Sequence, residues 1–241
     1  MIGRSLAYLA VVVCASAATL TISHAQTRAV VELFTSQGCS SCPAADRLLG
    51  ELANDPTIVS MSLPIDYWDY LGWKDTLAEP RNTARQRAYS KLRLDREVYT
   101  PQVVVNGSFH ALGSDLAAIE KMIAKSRQNT SALALPVSVA VANGKLNASF
   151  AGDGRAAEVW VVGLAKAITV AINRGENKGK TITYYNVARS WHKLVSSDGK
   201  TWSIPVGEID GEGVNRAAVL VQGGTMEKPG IILGAAMAAI R

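Results

Sequence analysis

The chain has 241 residues, is 48% hydrophobic, and carries a formal net charge of +5 with a pI near 9.2. That length buries one large core or two modest ones, and no stretch is biased enough in composition to read as disordered. The basic excess is thinly spread and forms no Lys/Arg block, which argues against a nucleic-acid partner.

The first 25 residues have the three parts of a secretory signal. Met1 to Arg4 is positively charged, Leu6 to Leu20 is apolar or small, and Ser23-His24-Ala25 supplies the small residues a signal peptidase reads. Residues 1–25 are therefore expected to be a signal peptide cut after Ala25. The alternative, a retained anchor, is disfavoured because the run is short for a hydrocarbon core of ~30 Å. No stable membrane anchor is expected, and the mature chain is placed outside the cytoplasm, secreted or periplasmic. Of the three cysteines, Cys14 leaves with the signal, and Cys39 and Cys42 remain.

The elements follow in chain order. Arg28 to Phe34 is an apolar, β-branched run that predicts a buried strand, and Thr35 to Gly38 breaks it. Ala45, Leu48, Leu49 and Leu52 fall at helical spacing, so residues 40–53 are predicted as an amphipathic helix with Pro43 in its first turn. Thr57 to Ile65 reads as a strand. Residues 74–93 read as helix interrupted near Pro80, with Arg81, Arg85 and Arg87 on a solvated face or steering acidic substrates. Gln102 to Val105 and Phe109-His110 read as a hairpin about Asn106-Gly107, and Leu116 to Arg127 as a helix. Beyond Asn129 short alternating strands take over, at Pro136–Ala142, Leu146–Phe150, Glu158–Ala167, Thr181–Ser190, Thr201–Pro205, Ala217–Gln222 and Ile231–Ala235. Turn pairs such as Asn143-Gly144, Gly152-Asp153-Gly154 and Asp198-Gly199 separate them. The expected architecture is an α/β domain over residues 26–129 followed by an all-β, sandwich-like domain over 130–241.

The chemistry centres on Cys39-Ser40-Ser41-Cys42. A pair at this spacing puts both sulfurs in the first turn of a helix, where unpaired N–H groups and the helix dipole favour a thiolate. Cys39 then attacks and Cys42 resolves the mixed disulfide. Two other readings stay open: a structural staple, or half of a metal site. The second would need further ligands, and the mature chain offers only His110 and His192 as histidines. His110 is weighed as a third ligand for copper beside the two thiolates. Tyr67, Trp68, Tyr70 and Trp73 either line a substrate groove or bury a helix start against the sheet. Arg174 to Lys180 is either a plain hairpin tip or a contact with the cysteine face.

The strand leading into Gly38-Cys39-x-x-Cys42-Pro43, then Tyr99-Thr100-Pro101-Gln102-Val103-Val104-Val105-Asn106-Gly107 and Gly113-Ser114-Asp115, resembles the thioredoxin–glutaredoxin superfamily over about residues 28–127. The resemblance implies a thioredoxin-like fold there, with Cys39 as nucleophile, Cys42 as resolving thiol and Pro101 as a cis proline beside them. Ser-Ser between the cysteines and Gly38 before them depart from the usual pattern. The stretch Val31 to Asp46, the aromatic run Asp66 to Trp73, and Arg174-Gly175-Glu176-Asn177 also resemble the secreted proteins of domain-of-unknown-function family 1223. The function these features imply is thiol–disulfide exchange on exported protein thiols or disulfides. Cys39, Cys42 and Pro101 would be the reacting centre, and Thr100, Trp68 and Trp73 the substrate contacts. No organic cofactor or metal is implied, and the redox partner stays open. The alternative is a binding module, either copper-handling or partner-docking.

Overall fold

The computed structural model describes residues 26–150, 157–196 and 201–241. The expected leader and the turns at 152–154 and 198–199 lie outside the described residues.

Eleven strands and three α-helices are described. In chain order they are β1 (Ala29–Thr35), α1 (Cys42–Leu52), β2 (Ile58–Pro64), α2 (Pro80–Arg93), β3 (Gln102–Val105), β4 (Phe109–Leu112), α3 (Leu116–Ser126), β5 (Val137–Ala142), β6 (Lys145–Phe150), β7 (Ala157–Ala171), β8 (Thr181–Leu194), β9 (Thr201–Pro205), β10 (Val214–Thr225) and β11 (Lys228–Ala239). Each predicted strand is present. The main departure is that β7, β8, β10 and β11 run well beyond their predicted ends. Pro80 does not interrupt a helix but begins one, at a position where its missing N–H has no helical partner to lose.

The expected α/β domain followed by a separate all-β domain does not form. One mixed eight-stranded sheet takes strands from both halves of the chain, in the order β11-β10-β7-β8-β2-β1-β3-β4. The join is β8 lying parallel to β2, with Ser62 opposite Val187. All seven residues of β2 are buried, so an open edge there would leave backbone N–H and C=O groups unpaired away from water. The long β7–β8 hairpin supplies the missing neighbour. Asn186 on β8 secures the join by donating from Nδ2 to the Ser60 carbonyl at 3.1 Å. Among the described residues, β5, β6 and β9 form a second sheet, of three strands.

Four clusters of buried side chains are described, and three of them set the layers about this sheet. On one face, Val31 and Leu33 of β1 pack with Ala45 and Leu49 of α1 and Ile119 and Ile123 of α3. On the other, Val30 and Phe34 pack with Met61, Leu63, Tyr89 of α2, and Val162 of β7. Farther along, Val161 and Val219 meet Leu146, Trp202 and Ile204 of the small sheet. Strand alternation puts Glu32 on the same face as Val30 and Phe34, beneath α2.

Candidate active site

β1 ends at Thr35, and the loop Ser36 to Ser41 carries the chain into α1. Cys39 and Cys42 are joined by a disulfide, with Cα atoms 5.4 Å apart. The sulfur-bearing residues are almost wholly covered: Cys39 is 2% exposed and Cys42 is 0% exposed, whereas Ser40 and Ser41 between them are exposed. Ser41 Oγ lies 3.3 Å from Cys39 Sγ. Cys39 N–H donates to the Ser36 carbonyl, and Cys42 N–H to the Cys39 carbonyl.

Three segments close over this loop. The first is the aromatic run. Gly38 packs so closely on Trp68 that a Cβ there would lie 3.0 Å from Trp68 Cβ. Trp68 Nε1–H donates to Thr100 Oγ1 at 2.8 Å, and Trp73 Nε1–H donates to Gln37 Oε1 at 2.8 Å. Both indoles are half-buried, and Tyr70, stacked on Trp68 with centroids 6.4 Å apart, is 77% exposed. The run is thus both packing and surface: Trp68 and Trp73 brace the loop, and Tyr70 faces outward.

The second segment is the loop before β3. The Thr100–Pro101 peptide bond is cis. A Cβ at Gly113 would meet Leu33 of β1, Ala45 of α1 and Pro101 within about 3 Å, so Pro101 and the helix that begins at Cys42 pack on the same glycine. Thr100 makes no main-chain hydrogen bond among the described residues, while the Pro101 carbonyl accepts from Gly113 N–H.

The third is the β7–β8 connection. Asn177 is fully buried, and its Nδ2 donates to the carbonyls of Gln37 at 2.9 Å and Cys39 at 2.8 Å. Glu176 Oε2 accepts from Ser40 N–H at 3.1 Å. Gly175 turns the loop at φ +74°, with Trp73 Cβ 3.3 Å from where its own Cβ would stand. The Arg174–Lys180 stretch is therefore a contact with the cysteine face rather than a bare hairpin tip.

Beneath the disulfide lies a cluster of acids. Asp46, one helical turn after Cys42, is 1% exposed. Its Oδ1 accepts from Thr35 Oγ1 at 2.8 Å, and its Oδ2 has no partner. Burial pushes this carboxyl up to about 8; the Thr35 hydroxyl opposes that, and the nearby Asp75 charge adds to it. Asp75 accepts from the N–H groups of Gln37 and Leu77, and burial raises its carboxyl to about 6 despite those bonds. Tyr184 of β8 is 1% exposed with an unpartnered hydroxyl, and burial and both acids raise its phenol.

Sequence patterning gives no role to Asp46, Asp75 or Tyr184, whereas Asn177 falls within Arg174–Lys180, the stretch read as a hairpin tip or a contact with the cysteine face. A signal for one of them existed: Cys42 and Asp46 are four apart on a predicted helix, a spacing that puts two side chains on one face about 5–6 Å apart at Cβ. The structure brings together Cys39, Cys42, Trp68, Trp73, Thr100 and Pro101. His110 is engaged elsewhere, with Nδ1 2.8 Å from Tyr99 Oη and Nε2 3.3 Å from Asp95. Burial, with Arg93 adding, lowers its imidazole against the pull of Asp95 and Glu97. Among the described residues, no three His, Cys, Asp or Glu side chains converge as a metal cage. A cleft of about 960 Å³ opens away from this site, between Asn54-Asp55-Pro56 and Ala236–Ala239 of β11, and takes in neither cysteine.

A mostly β chain whose large mixed sheet presents a Cys-Ser-Ser-Cys disulfide at a helix start defines a recognisable class. The family described as "Protein of unknown function (DUF1223)" matches residues 30–222, and the chain belongs to it. It is similar to a protein from Agrobacterium tumefaciens whose crystal structure is 32% identical, with a TM-score of 0.78, covering 90% of this chain and 96% of that one. No curated protein matches the chain.

Proposed function

We propose that the protein is an exported thiol–disulfide oxidoreductase acting on protein thiols or disulfides, and that its likeness to the thioredoxin–glutaredoxin superfamily holds at this site. The observation that carries the reading is Asp46. A disulfide that merely staples two segments has no use for a buried carboxyl with an unpartnered oxygen one turn away, and such a group costs stability. A pair that opens and closes must move a proton at Cys42, and a carboxyl raised toward neutrality suits that task.

A substrate thiolate attacks Cys39 Sγ; the Cys39–Cys42 bond breaks as the substrate–Cys39 bond forms, and Cys42 leaves as a thiolate that takes the Asp46 proton. A second substrate thiolate then attacks the substrate sulfur bound to Cys39. A substrate disulfide forms, Cys39 departs as thiolate, and two electrons have passed to the pair. In the opposite direction Asp46 accepts the Cys42 proton as that sulfur closes on Cys39. Trp68 and Trp73 hold the loop, Tyr70 offers an outward ring, and the Thr100 main chain is available to a substrate strand. No cofactor enters these steps. The apolar leader supports export.

A structural staple is the second reading, favoured by the near-complete cover of both sulfurs. Exchange with glutathione separates the two. Cys39→Ser is expected to reduce exchange to background, and Cys42→Ser to accumulate a mixed disulfide on Cys39, seen as a mass increase. A wild-type pair with a potential far below about −300 mV and no exchange would leave the staple standing.

A further inference from the structure

The N–H groups at the start of α1 are where a Cys39 thiolate would be stabilised, by hydrogen bonds and by the positive end of the helix dipole. An N–H in the loop just ahead of that helix, on the residue after Cys39, is already engaged by an anion. Glu176 Oε2 holds Ser40 N–H at 3.1 Å, and the Ser40 hydroxyl and N–H together keep the Glu176 carboxyl below its ordinary value, so it is ionised at neutral pH.

The carboxylate is kept there by its neighbour. Asn177 is fully buried and ties the loop to the carbonyls of Gln37 and Cys39, not to a sulfur, so opening the disulfide does not release it. Lys180 braces Asn177 from the other side, with Nζ donating to Oδ1 at 2.9 Å. The charges around the cysteine loop include Glu176 on one side and Asp46 and Asp75 on the other, with Arg47 acting on Asp46, Asp69 on Asp75, and Lys180 bound to Asn177.

We propose that Glu176 is a positioning residue that sets a negative charge on the N–H beside Cys39, ahead of α1, and so restrains thiolate formation and holds the pair toward the disulfide. The inference rests on the oxidoreductase reading and deepens it, since it makes the chain a reluctant oxidant. A Glu176 carboxylate held at Ser40 and a thiolate on Cys39 repel; the reduced form loses thiolate stabilisation, and the dithiol is disfavoured relative to the disulfide.

Glu176→Gln tests it. Glutamine keeps an acceptor for Ser40 N–H and removes only the charge, at an exposed position where folding is not at stake. The reduced wild type and variant would be titrated by thiolate absorbance at 240 nm, and each equilibrated with reduced and oxidised glutathione. In that equilibrium two glutathione thiols become one glutathione disulfide as the cysteine pair becomes a dithiol. The variant is expected to ionise about half a unit to one unit lower in pH, with the equilibrium shifted about threefold to tenfold toward the dithiol. Raising the salt should move the wild type toward the variant, because an exposed charge is screened. Identical titrations and equilibria, or shifts of the opposite sign, overturn the proposal. Both readouts follow the cysteine thiols and need no substrate turnover. A shifted titration in a protein that exchanges no protein thiols keeps the inference and removes the oxidoreductase reading, and turnover without a shift does the reverse.

Discussion

Replacing Arg85 with methionine is expected to lower the unfolding free energy by about 3–5 kcal/mol, the usual cost of removing one partner from a buried ion pair. Arg85 lies wholly inside the protein, 2% exposed, between the two halves of the chain. Its Nε donates to Glu32 Oε1 of β1 at 2.7 Å. One Nη donates to Tyr89 Oη at 2.7 Å and to Gln222 Oε1 of β10 at 2.8 Å. The guanidinium also sits over the Trp191 ring of β8 at 4.8 Å. Burial alone would lower the basicity of Arg85, but Glu32 and Tyr89 outweigh it and hold the guanidinium charged. Methionine fills much of the volume but leaves Glu32, itself 0% exposed, facing only the Tyr89 hydroxyl. Urea denaturation reads the loss as a lower midpoint. The pair Arg85→Met with Glu32→Gln should recover a measurable part of it, because the orphaned charge is then gone. A cost below about 1 kcal/mol for the single variant would show that Glu32 finds water or a proton when its partner leaves.

The same network explains why the expected two-domain division fails. From the sequence, Arg85 lies in a helix crowded with charge, and nothing in its period marks it as interior. Its place is set by Glu32 on a strand 53 residues earlier and Gln222 on a strand 137 residues later, and such pairings have no local signature. The strands themselves were legible because alternation and β-branching are local, and so was the Asn106-Gly107 hairpin, whose residues take φ 49° and 69°. The partnership of β8 with β2 was not. It follows from β2 being apolar enough to need cover on both edges, a requirement that several strands of the second half were equally able to meet. At the site, the cysteines, Pro101, Thr100 and the tryptophans were legible because each carries chemistry by residue type. Asn177 was legible only as part of the Arg174–Lys180 stretch, because its own role is to bond two carbonyls of a loop 138 to 140 residues away.

Stability should fall as pH rises from about 4 to 8, and Asp46→Asn should remove most of that fall. In the folded chain the Asp46 carboxyl is raised from its ordinary 3.8 to about 8. Between those values the folded state keeps a proton that the unfolded chain has released. A folded-state excess of bound protons means that the contribution is fully present below the unfolded value and is lost as pH climbs through the folded one. The slope for one such proton is on the order of 1 kcal/mol per pH unit. Asp75, raised to about 6, adds a second proton to the same trend between about 4 and 6. Asparagine keeps an acceptor for the Thr35 hydroxyl and cannot ionise, so the variant should track the wild type near pH 4 and exceed it by a few kcal/mol at pH 8 and above. The remaining fall at about pH 4–6 belongs to Asp75, opposed by His110, whose lowered imidazole favours the folded chain as pH rises through its range. Chemical denaturation across pH 4 to 9 with the disulfide intact measures both curves. Parallel curves would mean that Asp46 is ionised when folded. It would then already be an anion, unable to give Cys42 a proton when the pair is reduced.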